Sequence, residues 1–115
     1  MSKYGTKELE LLNIQIGCVL KLARLKKGMS QEDLGLLIEA DKTKIARLEK
    51  YAHATNWNII YSVSQELGLN FCSLFILKSS KEILLIVEEC IKLDKKLSGM
   101  KIKYYEDLQK IISRY

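Results

Sequence analysis

The segment from Ser30 to Glu49 reads SQEDLGLLIEADKTKIARLE, and its second half gathers side chains able to grip a polyanion. At helical spacing Lys42, Thr43, Lys44, Ala46 and Arg47 share one side of a short helix, and Ile45 and Leu48 share the other. A guanidinium such as that of Arg47 is a planar fork of donors that fits guanine O6 and N7, and Lys42 offers a less rigid version of the same contact. Thr43 adds a hydroxyl and a methyl. Gln31, on the first turn of the preceding helix, presents an amide donor beside the positive end of a helix, where phosphate is favoured. Taken alone, a charged helix face is ordinary solvated surface, so the surroundings must decide its meaning.

Other chemistry finds little to assemble. His53 is the only histidine, no glycine-rich phosphate loop occurs, and Glu88-Glu89 falls on an outward helix face. These features predict a protein that is not an enzyme and needs no cofactor. Cys18, Cys72 and Cys90 are scattered without CxxC or Cys/His spacing, so no metal site is expected. Cys18 and Cys90 lie on apolar stripes and read as reduced core thiols of a cytoplasmic protein. The longest apolar run is Ile83 to Val87, too short for a membrane span, and the N-terminal residues lack an apolar signal core. The net charge of +5 and the sequence pI of about 9.1 admit a nucleic-acid partner without requiring one.

The elements that must hold these residues are all helical. Apolar residues recur at steps of three and four, no segment alternates with period two, and proline is absent. A first helix is expected from about Lys7 to Lys27, capped by Thr6, striped by Leu9, Leu12, Ile16, Leu20 and Ala23, and stopped by Gly28. Ser30 caps a second helix, with Asp33 completing a capping box, and Asp41 caps the third. Thr55 or Asn56 caps a fourth with Trp57, Ile60, Val63 and Leu67 inward, ended by Gly68. Asn70 opens a short helix carrying Phe71, Leu74 and Phe75. Ser79 or Ser80 begins a helix to about Leu97, and Ser98-Gly99 separate it from a last helix over Met100 to Tyr115.

In their order and spacing, Ile16-Gly17, Gly28-Met29-Ser30-Gln31-Glu32-Asp33-Leu34, Lys44-Ile45-Ala46-Arg47-Leu48-Glu49 and Glu66-Leu67-Gly68-Leu69 resemble the Xre, or phage-repressor, class of helix-turn-helix domains. The resemblance covers about Ile14 to Phe75. It implies a five-helix lambda-repressor-like domain over residues 6–77 that binds double-stranded DNA through the third helix in the major groove. It also implies base-edge contacts from Lys42, Thr43 and Arg47, phosphate contacts from Gln31, Lys44 and Lys50, and an internal salt bridge between Arg24 and Glu49. The chain departs from the pattern at the turn, where Glu39 stands in place of the usual glycine. Lys50-Tyr51 replaces Asn-Gly after the third helix, and Thr55 replaces proline before the fourth.

Residues 78–115 form a C-terminal two-helix extension. Ile83, Ile86, Cys90, Leu93 and Leu97 step by three and four, a heptad seam with Leu84, Val87 and Ile91 beside it. Cys18, Val19, Leu22 and Leu25 make the first helix more apolar than the class requires, so the extension is expected to cover them, within the chain or from a partner. The full reading is an all-α, cytoplasmic transcriptional regulator acting as a homodimer, with no membrane partner. An antitoxin whose C-terminal helices bind a protein partner, or an interaction module that has lost DNA binding, remains the alternative.

Overall fold

The computed structural model describes residues 5–95 and 97–115. Among them are six α-helices: α1 (Thr6–Lys26), α2 (Gln31–Leu37), α3 (Lys42–Lys50), α4 (Trp57–Glu66), α5 (Ser80–Leu93) and α6 (Gly99–Ser113). Two 3-10 turns, Ala52–Ala54 and Cys72–Phe75, join them, and no strand occurs among the described residues. None of these helices is long and apolar enough to cross a membrane.

Side-chain oxygens fix most of the helix starts. Ser30 Oγ accepts the Asp33 N–H at 3.0 Å while Asp33 Oδ2 accepts the Ser30 N–H at 3.0 Å. Those bonds hold the Asp33 carboxyl below its usual range. Asp41, Asn56, Ser79 and Ser98 cap α3, α4, α5 and α6 in the same manner. The first helix differs from expectation: Gly5, in the left-handed region, occupies the cap position and Thr6 is already helical. Asn70 Oδ1 accepts from Ser73 N at 3.2 Å, but the turn it opens is 3-10 rather than α.

Two cores lie on opposite flanks of α1. Ile16 and Leu20 join Leu34, Ile45, Leu48, Ile60, Val63, Leu67 and Leu74 in the first. Leu11, Ile14, Cys18 and Leu22, roughly half a turn round the helix, join Ile83, Val87, Cys90, Tyr105, Leu108 and Ile112 in the second. The extension therefore covers Cys18, Leu22 and Leu25 within the same chain, whereas Val19, expected with them, packs against the first core. Residue 78 marks the point where the chain crosses from one core to the other. Gln15, fully buried, pins this crossing: its amide nitrogen donates to Leu74 O at 3.0 Å and Ile76 O at 2.8 Å, and its oxygen accepts from Lys78 N at 2.7 Å.

The expected seam needs correction. Ile83 and Cys90 are buried and Ile86 is half-buried against the second core, but Leu93 and Leu97 are exposed. The helix ends at Leu93 rather than Leu97, and its inward line runs Ile83, Val87, Cys90, Asp94. Asp94 is the reason. Buried at the end of α5, it accepts from Tyr105 Oη at 2.8 Å and Lys101 Nζ at 3.3 Å, and Lys21 Nζ lies 3.8 Å away. Burial lowers the pKa of Lys21 and, with the Asp94 bond, raises that of Tyr105.

Candidate nucleic-acid interface

Two residues without side chains let α3 and the turn before it close up on α1 and α2. A Cβ on Gly35 would stand 2.4 Å from Ala40 O, so the turn at 38–41 folds tightly over α2. Ala40 N donates to Gly35 O at 2.8 Å, and Glu39 takes φ +57° to make the reversal. The turn thus keeps a left-handed residue although the position carries glutamate. A Cβ on Gly17 would stand 2.3 Å from Glu49 O, and the last turn of α3 consequently rests on the backbone of α1.

Ile45 and Leu48 are 0% exposed, which fixes the rotation of α3 about its axis. Lys42, Thr43, Lys44, Arg47 and Lys50 are then all exposed, and Ala46 is half-buried between them. Asp41, the one acid at this end, has a carboxylate oxygen accepting from Lys44 N at 2.9 Å, so it serves the cap. The structure brings Lys42, Thr43, Lys44 and Arg47 together on one free helix face. Lys50 sits apart at the helix end, where its ammonium lies 5.3 Å from the centre of the Tyr104 ring on α6.

Arg24 and Glu49 lock the base of α3. Arg24 Nε donates to Glu49 Oε2 at 2.6 Å and Nη2 to Oε1 at 3.0 Å, and Nη1 reaches Met29 O at 2.7 Å. Both side chains are over nine-tenths buried. One guanidinium thereby ties α1, the start of α2 and the end of α3 into one body. Gln31 enters this network: its amide nitrogen donates to Glu49 Oε1 at 3.0 Å. The amide expected to face outward to a phosphate is instead turned onto Glu49, with its residue half-buried.

Beyond α3 the chain is held by Asn13. Its Oδ1 accepts from the His53 backbone N–H at 2.9 Å and lies 2.8 Å from His53 Nδ1, which places a ring proton on that nitrogen. His53 is exposed and Thr55 Oγ1 donates to Ala52 O at 2.8 Å, which closes a 3-10 turn over Ala52–Ala54. Trp57, expected inward, is 66% exposed, because its position on the first turn of α4 lies ahead of the Ile60, Val63 stripe. The sequence carried no signal for Gln15 or Asp94 as buried polar anchors. Among the described residues no group of three His, Cys, Asp or Glu side chains could hold a metal ion.

No family model, curated protein or solved structure matches this chain. Its function must be read from the geometry.

Proposed function

We infer that this chain is a sequence-specific regulator of the helix-turn-helix kind, which lays α3 in the major groove of double-stranded DNA. The observation that carries the reading is the free basic face of α3, held in fixed orientation by a buried inner face and by the Arg24–Glu49 pair. Arg47, Lys42 and Thr43 reach base edges, and Lys44 and Lys50 neutralise phosphates. Gln31 supplies a phosphate contact only if its amide leaves Glu49, so its main role is to brace the site. No chemistry is asked of the protein beyond binding, which is the character of a non-enzymatic regulator.

Useful specificity calls for two copies related by a twofold axis, reading half-sites about 34–36 Å apart. The stripe Ile83 to Cys90 is consumed by the chain's own core, so a homodimer must use other surface. Leu93, Leu97 and Met100, exposed around the α5–α6 connection, offer apolar area for it. The same three residues favour a second reading, an antitoxin-like role in which this end of the molecule holds a protein partner.

The test is titration with duplex DNA at several salt concentrations, followed by selection of bound sequences from a random pool. The reading expects a steep fall in affinity with salt and a defined two-part site. Absence of salt-dependent duplex binding overturns it and leaves the protein-partner role.

A further inference from the structure

A cleft of about 880 Å³ opens between the first half of α1, the loop from Lys50 to Trp57, and α6. It opens at the end of α3 and shares Lys50 with the residues assigned to phosphates, while Lys42, Thr43, Lys44 and Arg47 lie outside its lining. Its walls are mainly apolar, and four aromatic residues line it: Tyr51, Trp57, Phe75 and Tyr104. Leu9 and Trp57 stand there more than half exposed, leaving large apolar side chains in water.

The charges of the lining run against those of the molecule. The chain as a whole carries +5, yet the cleft's acidic and basic side chains, its two tyrosines aside, are Glu10, Asp107, Lys50 and a single histidine, a net negative set when the histidine is neutral. Lys50 already lies over the Tyr104 ring. Glu10 accepts a hydrogen bond from the Tyr115 hydroxyl, and Asp107 makes no ion pair among the described residues.

We propose that this cleft binds a lipophilic organic cation, a small molecule of aromatic rings around a delocalised or fully substituted positive charge. Aromatic faces present negative potential to such a cation, and a cation without N–H groups loses little hydration on entering apolar walls. The two carboxylates supply the balancing charge. The volume lies within the range of about 300–1,000 Å³ typical of small-molecule sites. A ligand there touches Lys50 and Tyr51 at the end of α3 and Tyr104 on α6, so it bridges the DNA-facing element and the extension. The binding stands independently of the DNA reading; only its consequence for DNA rests on that reading.

Tetraphenylphosphonium and tetraphenylborate share shape and size and differ in the sign of charge, so they separate this proposal from simple greasiness. Trp57 is the only tryptophan and lines the cleft, so its fluorescence reports occupancy directly. The full chain, free of DNA and in sodium buffer, is titrated with each ion. The expected result is saturable quenching, with the phosphonium bound at least tenfold more tightly than the borate despite the protein's positive charge. In a Glu10→Gln, Asp107→Asn double variant with unchanged helical circular dichroism, the two affinities converge to within about threefold. Equal affinities in the natural chain, tighter borate binding, or no saturation overturns the proposal. So does a concentration-dependent dimer in which Trp57 is already shielded from acrylamide, which assigns the cleft to a second copy. Loss of duplex binding with phosphonium binding intact overturns the DNA reading alone.

Discussion

At the scale of single residues, Arg24 and Glu49 separate structural charge from functional charge. Their pair is buried and bidentate, so Glu49→Ala leaves a buried cation without its carboxylate and Gln31 without its acceptor. The expected cost is about 3–5 kcal/mol, read as a lowered urea midpoint at constant slope. Arg47 and Lys44 are free of such duties. Arg47→Ala should weaken specific duplex binding by about 1–3 kcal/mol and relax preference at one base position. Lys44→Ala should weaken binding to all sequences alike and lower the salt slope by about one unit. A base-specific loss at Lys44 would show that α3 is rotated from the assigned pose. Burial pushes the thiols of Cys18 and Cys90 up from 9.0 to about 12. Groups raised in this way give their full stabilisation below the unfolded value and lose it as pH climbs to the folded one. The urea midpoint should therefore fall between pH 9 and 12, and Cys90→Ala should flatten that fall. Lys21, lowered by burial, works in the opposite direction as pH approaches 10.5, which is why the comparison with the variant is needed.

At the scale of elements, the turn between α2 and α3 holds a glutamate where the backbone asks for glycine. Glu39 at φ +57° bears the cost of a side chain in the left-handed region, about 1–2 kcal/mol, while glycine there loses more freedom on folding. Glu39→Gly should raise stability by about 0.5–1 kcal/mol with no change in duplex binding; thermal unfolding and titration check the two halves of that statement. The element boundaries were legible wherever a side-chain oxygen makes the cap, as at Ser30, Asp41 and Asn56, because the capping bond is local. Those set by distant partners were not. The end of α5 is drawn to Leu93 by Asp94, whose partners Lys21, Tyr105 and Lys101 lie on other elements, and no local pattern announces them. Likewise the basic face of α3 followed from Ile45 and Leu48 within one helix. The inward turn of Gln31 and the aromatic cleft depend on α1, α3, α4 and α6 meeting in space.

At the scale of the whole molecule, α1 is the common wall of two cores, and neither core closes without it. Removal of everything after Leu77 should bare Leu11, Ile14, Cys18 and Leu22 together and leave Gln15 short of its partner at Lys78. The shortened chain should bind a hydrophobic dye and unfold at markedly lower urea. A midpoint equal to that of the full chain would show that residues 6–77 stand alone. The distance along the chain between this wall and its cover has a consequence for synthesis. Cys90 Sγ donates to Cys18 O across a separation of 72 residues, and the rest of that core is supplied by α5 and α6, nearer the end of the chain. At translation speeds of about 5–20 residues per second, the apolar flank of α1 is made roughly 4–14 s before its cover exists. During that interval the nascent chain carries an unfinished face, which makes it a natural client for chaperones that hold emerging polypeptides.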